Sequence, residues 1–268
     1  DDNGSGGDDK MPLFDDGVTW YCYCVCGLLW LTDLTPLGPL LRASGPAAIY
    51  WLVGIQWLGF FAPTLAWARS QGWPVTRLLL GQRVWPGWGW LAAGAGAGAA
   101  VYLVVGSIMA AKAGIPLAEW WAGSAHVAVP PATPADPMAA FMEAERSSVL
   151  GSMIAAPSNA LEAARLWACA ALSPAVCEEL LYRGLLLTAL QRPRLAGPAL
   201  LGRTDAVFVT AALFALAHLD LPQFGPLTFL GVAAGGLAVA SGSVLPAIAA
   251  HATYNSAALA LGVLGGGL

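Results

Sequence analysis

The stretch CEELLYRGLLLTAL, residues 177–190, places two adjacent glutamates and an arginine inside an otherwise apolar run. The rest of the chain is similarly apolar: 57% of its 268 residues are hydrophobic, 10% are charged, and the mean hydropathy is +0.65. Soluble domains average about 25% charged residues. The composition therefore predicts an integral membrane protein, in which intramembrane charges must be paired or put to use.

Apolar runs that approach the length of a bilayer recur along the chain. A spanning helix needs about 20 predominantly apolar residues, and the candidate segments are 18–34, 46–68, 88–111, 159–190, 205–219, 227–240 and 244–263. We therefore expect an all-α fold, a polytopic bundle of about seven transmembrane helices. The segment 159–190 would be about 48 Å long, longer than the hydrocarbon core, so a kink or break is expected near Ser173 and Pro174.

Three regions are expected within one membrane domain. Residues 1–17 are acidic and are interpreted as a flexible tail. Residues 18–157 hold the first three spans, with a GAGAGAA face at 94–100 suited to close helix packing, and an extramembrane connection. This connection contains His126, interpreted as a surface residue, the proline-rich run 129–137, and an amphipathic-looking stretch at 137–151. Residues 158–268 form the core that carries the polar motifs.

The arginines predict an orientation. Those that follow the second and fourth spans are Arg69, Arg77, Arg83, Arg192, Arg194 and Arg203. With seven spans, both connections lie on the side of the N-terminus, which the positive-inside rule makes cytoplasmic. The Ala- and Gly-rich composition hints at a prokaryote, so a multi-pass protein of a prokaryotic cytoplasmic membrane is expected. No basic cluster interleaved with polar surface indicates a nucleic-acid partner.

The cysteines carry little functional signal. Cys22, Cys24 and Cys26 form a C-x-C-x-C run, but alternate residues of a helix point about 200° apart and do not converge on a metal ion. Cys169 and Cys177 also lie in apolar sequence. All five are interpreted as small hydrophobic residues of the membrane, without a disulfide framework.

Helical spacing separates the polar residues of the opening stretch into two groups. Glu179 and Arg183 are four residues apart, acid before base, which predicts an ion pair on one helix face. Glu178 is rotated by about 100° from Glu179 and need not share its site. Two further apolar spans carry FALAH, with Phe214 and His218 one turn apart, and HATYN, with His251 and Asn255 one turn apart. Such groups can converge in a bundle core, where intramembrane ionisable residues usually serve a function.

These three motifs, in this order, resemble the signatures E-E-x-x-x-R, F-x-x-x-H and H-x-x-x-N of the CAAX-protease and bacteriocin-processing family, also called CPBP or Abi. The resemblance covers roughly residues 159–263 and does not extend to the first 150 residues. It implies an intramembrane endopeptidase of the glutamic type that acts on a membrane-associated protein or peptide, with residues 158–268 as its catalytic core.

The resemblance also implies roles for the motif residues. Glu178 would activate water as general base with help from His218, while His251 and Asn255 would donate hydrogen bonds to the oxyanion. Glu179, Arg183 and Phe214 would support the site.

No cofactor is expected on the favoured reading, but a zinc-dependent version of the protease stays open. In that version Glu178, His218 and His251 would be the three ligands and would leave a position for water. Against it, the chain has no H-E-x-x-H motif, and Glu179, the nearest spare carboxylate, is committed to Arg183.

Two functions of other classes also stay open. Intramembrane Glu, His and Arg build proton relays, so a proton-coupled carrier is an alternative. A membrane scaffold or immunity protein without proteolytic activity is another. Substrate, oligomeric state and the role of the first three spans are not encoded in any motif.

Overall fold

The computed structural model describes residues 11–33, 35–44, 47–112, 116–118, 157–194, 197–219, 221 and 223–264. Its helices are α1 (Phe14–Asp33), α2 (Leu37–Ala43), α3 (Ala48–Ser70), α4 (Val75–Leu80), α5 (Trp88–Lys112), α6 (Ala160–Leu190), α7 (Arg203–Ala217), α8 (Phe224–Ser241) and α9 (Leu245–Leu264). Strands β1 (Pro193–Arg194) and β2 (Gly197–Ala199) form a short antiparallel ribbon between α6 and α7. The predicted helical fold is confirmed, whereas His126 and the segments predicted at 129–137 and 137–151 lie outside the described residues.

Four of the described helices are long and apolar enough to cross a membrane, namely α3, α5, α6 and α8. Each coincides with a predicted span. The other three predicted spans fall on α1, α7 and α9, which are helical over the expected ranges. The chain is therefore an integral membrane protein of several spans, and the count of seven stays a prediction.

Helix α6 carries the EELLYR motif and continues through Ser173 and Pro174, where a kink or break was predicted, by way of a local irregularity. The Ser173 N–H donates to the Ala168 carbonyl five residues earlier, within a π-helical turn at Ala168–Leu172. The widened turn accommodates Pro174, which has no N–H to donate, and the helix continues past it. A second π-helical turn, Leu180–Leu186, follows directly after the two glutamates.

The first described helix begins before the predicted tail boundary at residue 17. Helix α1 starts at Phe14, and the Asp16 carboxylate accepts a hydrogen bond from the Leu13 N–H at 2.7 Å. Acidic residues in a first turn stabilise the positive end of a helix, and Pro12 is fully buried. Residues 11–17 therefore pack with the rest of the described structure, while residues 1–10 lie outside the described part; the division of the chain into three regions stays a prediction.

Several helix ends meet at one end of the bundle. The start of α1 packs on the end of α6, where a Cβ at Gly17 would lie 2.6 Å from the Cβ of Ala189. The turn after α4 pairs with the turn between α8 and α9, through a bridge between Gly81 and Ser243 and a 2.9 Å hydrogen bond from the Arg83 N–H to the Gly242 carbonyl. This assembly is called the basal end here.

Candidate active site

A buried network joins α6, α8 and α9. The Arg183 Nη1 donates to Oε1 of Glu179 at 2.9 Å, and its Nη2 donates to the Gly231 carbonyl at 3.1 Å. The His251 Nδ1 lies 2.9 Å from the same Glu179 oxygen. All three side chains are buried. The ion pair predicted between Glu179 and Arg183 is therefore present, and it also fixes the ring of His251.

The close approach of α8 explains how Arg183 reaches a backbone carbonyl. A Cβ at Gly231 would lie 2.8 Å from the Cβ of Ala211 and 3.2 Å from Nη2 of Arg183. Only glycine leaves room there for both α7 and the guanidinium. Gly231 thus serves the network through its backbone, a contribution that the motif analysis did not identify.

Glu178 and His218 form the accessible part of the site. The Nε2 of His218 lies 3.8 Å from Oε2 of Glu178, and their side chains are 33% and 17% exposed. The Nδ1 of His218 is 2.8 Å from the Phe214 carbonyl, which can only accept. This contact assigns the proton to Nδ1, so that Nε2 of the neutral ring presents its lone pair toward Glu178.

The two oxygens of Glu178 have different surroundings. Oε1 accepts a 2.8 Å hydrogen bond from Nε2 of Gln56, on α3. Oε2 has no hydrogen-bond partner among the described residues. The carboxylate therefore has one anchored oxygen and one that is free to accept a proton, and the free oxygen is the one that faces His218.

Phe214 lies between the two histidines. Its ring centroid is 4.8 Å from that of His218 and 5.6 Å from that of His251, both in edge-to-face geometry. The Arg183 guanidinium carbon lies 4.7 Å from the same ring centroid. This fully buried ring packs against both halves of the site, and the i,i+4 spacing in FALAH places it there.

Asn255 is the predicted site residue with the weakest local contacts. It lies one turn after His251 on α9, and its Nδ2 is 3.5 Å from the Ala171 carbonyl of α6, at the limit of a hydrogen bond. The structure therefore brings together Glu178, Glu179, Arg183, Phe214, His218 and His251, while Asn255 borders this group beside the first π-helical turn of α6.

Residues 160–257 match the model of a family described as type II CAAX prenyl endopeptidase Rce1-like. This segment is similar to the Rce1-like family. No curated protein and no solved structure matches the chain. The match confirms the resemblance inferred from the three motifs, and it contains every predicted site residue. The family match and the apolar helices together indicate a membrane-embedded peptidase.

Gln56 lies outside the segment that matches the Rce1-like family, and sequence reasoning missed it. A signal was available, since Gln56 is an isolated amide side chain within a predicted span. Intramembrane polar residues usually face the bundle interior. The neighbouring Trp57 Nε1 donates to Ser173 Oγ at 2.7 Å, so both side chains of this turn of α3 hydrogen-bond to α6.

The histidine contacts also bear on whether an Rce1-like site of this kind could hold a metal ion. Both rings use Nδ1 in hydrogen bonds, which leaves both Nε2 atoms as possible ligands. Among the residues that the structure describes, however, no three His, Cys, Asp or Glu side chains are grouped closely enough to hold one metal ion. Side chains of the kinds that bind zinc are thus present, but in this geometry they are not close enough together to coordinate one ion.

Proposed function

We propose that the chain is an intramembrane endopeptidase in which Glu178 activates the attacking water. The observation that carries this proposal is the unpartnered Oε2 of Glu178, which is buried and lies 3.8 Å from Nε2 of the partly exposed His218. That separation is too long for a direct hydrogen bond, and a water oxygen at about 2.8 Å from both atoms would bridge them once the site opens enough to admit it. The pair is therefore arranged to hold and deprotonate one water molecule.

The reaction balances with this pair alone. Glu178 takes a proton from the water, and the water oxygen forms a bond to the scissile carbonyl carbon. The carbonyl oxygen becomes an oxyanion, and the peptide C–N bond then breaks as the proton passes from Glu178 to the leaving nitrogen. His218 accepts a hydrogen bond from the water and holds it in line for attack.

We assign the stabilisation of the oxyanion to His251 and Asn255. Because Glu179 accepts from Nδ1 of His251 and is already paired with Arg183, donation from Nε2 as well requires a doubly protonated ring, whose added charge the oxyanion would balance. The Asn255 amide has a second N–H that its contact with Ala171 does not use. Glu179, Arg183 and Phe214 would hold these donors in place.

The proposed reaction requires no metal ion. Zinc is the competing proposal, favoured by the two Nε2 atoms that the hydrogen bonds leave as lone-pair donors; Glu178, His218 and His251 would then be its ligands. Bound zinc would activate the water as a Lewis acid. If purified protein keeps its full turnover rate after exhaustive chelation, the metal-free reaction is supported. If turnover is lost and only added zinc restores it, the metal-free reaction is contradicted.

The substrate is proposed to be a membrane-associated protein or peptide. The family description names prenylated CAAX substrates, and an internally quenched peptide made with and without a farnesylated cysteine tests whether lipidation matters here. Preference for the farnesylated form extends the family's described substrate to this chain. Equal turnover of both forms would assign it a broader membrane peptide specificity.

The topology proposed is seven spans with the N-terminus in the cytoplasm of a prokaryotic cell. Two observations support it. The start of α1, the end of α6 and the turns around residues 81–83 and 242–244 share the basal end, as alternating spans require. The arginines of the second and fourth connections flank the same helix ends, which fits the positive-inside rule.

The test of the proposed function compares cells that carry the wild-type chain with cells that carry Glu178→Gln, by mapping peptide termini in the membrane fraction. The substituted side chain keeps an oxygen that can accept from Gln56, so folding should be preserved. A membrane protein that stays uncut only in the variant supports proteolysis and names a substrate. Identical termini, with full complementation by the variant, would favour the scaffold; proton or solute flux through reconstituted protein would favour the carrier.

A further inference from the structure

The side chain of Gln56 reaches the carboxylate of Glu178 from a helix outside the Rce1-like segment. It lies in the π-helical turn Ile55–Phe61 of α3 and donates from Nε2 to Oε1 at 2.8 Å. We propose that Gln56 is a positioning residue for the peptidase reaction, because it anchors Oε1 and thereby keeps Oε2 directed at His218. This inference rests on the proposed function, since it concerns the carboxylate that would activate water.

A carboxylate has two equivalent oxygens and rotates easily about its last bond. In this site the two oxygens are made unequal by their partners alone: Oε1 accepts from an amide, and Oε2 faces a ring nitrogen at 3.8 Å. Without the amide, either oxygen could turn toward His218, and the carboxylate plane would no longer be fixed. Small errors of this kind in the reacting geometry can cost about 100-fold in rate.

The backbone around Gln56 is held to α6 by contacts that do not involve its amide group. The Trp57 Nε1 donates to Ser173 Oγ at 2.7 Å, and the Cys177 thiol lies 3.7 Å from the Gln56 carbonyl. These contacts set the position of α3 along α6 independently of the Gln56 side chain. A substitution that removes only the amide should therefore leave the two helices in register.

A purely structural role is the alternative, in which Gln56 is one more polar link between two helices. Trp57 provides a matched control, because it is the next residue of the same turn and its hydrogen bond links the same helices through Ser173 rather than Glu178. Trp57→Phe removes that link and keeps the aromatic ring that packs edge-to-face on Phe61. If linkage alone matters, both positions should respond alike.

The experiment measures kcat and KM of purified full-length protein on the substrate peptide found by the comparison of termini. Gln56→Met keeps a similar volume without a donor, and Gln56→His restores an N–H of similar reach. We expect kcat of Gln56→Met to fall about 10- to 100-fold with KM nearly unchanged. Gln56→His should recover most of that loss, while Trp57→Phe should stay within about threefold of wild type.

Other outcomes overturn the proposal. Wild-type kcat in Gln56→Met would show that the amide does not position the base. A loss of kcat in Trp57→Phe equal to that in Gln56→Met would show that Gln56 acts only by linking the two helices. A rise in KM at constant kcat would place Gln56 in substrate binding instead. The proposed function fails separately, if wild type and Glu178→Gln give the same termini, and in that case the role assigned to Gln56 falls with it.

Discussion

Glu179 receives hydrogen bonds from Arg183 and His251 on a single oxygen, and all three side chains are buried. Removing one partner from a buried ion pair leaves an uncompensated charge, which typically costs about 3–5 kcal/mol. We therefore expect Arg183→Met to lower the unfolding temperature in detergent sharply. The double variant Arg183→Met, Glu179→Gln should recover part of that loss, because the remaining amide is neutral and can still accept from His251. A double variant that unfolds as early as the single one would contradict this assignment.

At this scale, the sequence could predict contacts within one helix and not those between helices. The ion pair of Glu179 with Arg183 and the packing of Phe214 on His218 follow from i,i+4 spacing. The bond between His251 and Glu179 joins residues 72 positions apart, and no periodicity encodes it. Gln56 was missed for a related reason: no local partner distinguishes it from any other polar residue of a span.

Helices α5 and α9 pack through small residues, as the GAGAGAA run predicted. A Cβ at Gly98 would overlap the carbonyl of Ala250, the residue before His251, whereas a Cβ at Gly96 would meet nothing within 4 Å. Gly98→Ala should force the two helices apart, lower stability by about 1–3 kcal/mol and reduce turnover through His251. Gly96→Ala is the control on the same helix and should be neutral or slightly stabilising, since alanine favours a helix by up to about 1 kcal/mol.

Thermal unfolding and peptide turnover of the two glycine variants, measured side by side, check this expectation. Equal stability of both would mean that the approach of α5 to α9 does not constrain the site.

The two glycines also show how far sequence reasoning about helix packing reaches. Composition identifies a small-residue face, but only the three-dimensional arrangement distinguishes Gly98, which touches α9, from Gly96, which does not. The π-helical turn before Pro174 could likewise not be predicted, because a proline predicts a disturbed helix but not the form that the disturbance takes.

Over the whole molecule, the apolar runs predicted where the helices lie better than how many of them cross the bilayer. Hydropathy locates each segment because apolar side chains are favoured along the whole length of a helix in the bilayer core. It distinguishes poorly between a short span and a buried helix, so α7, with 15 residues, is the element on which the predicted topology depends. Arg203 starts α7 at the basal end, and His218 follows its last residue, about 22 Å further along the axis. If α7 crosses, the site therefore lies nearer the opposite end.

Exposed leucines flank α7 and allow this to be tested. Leu200 is 57% exposed before the helix and Leu221 is 84% exposed after it. We expect a membrane-impermeant maleimide to label Leu221→Cys in intact cells, and Leu200→Cys only after the membrane is permeabilised, above the background of the native cysteines. Labelling of the two positions from opposite sides requires α7 to span the bilayer, and it places His218 toward the outer face. Labelling of both positions from the same side would show that α7 does not cross the bilayer and would contradict the proposal of seven spans. The entry to Glu178 would then lie on the same side as the arginine-rich connections.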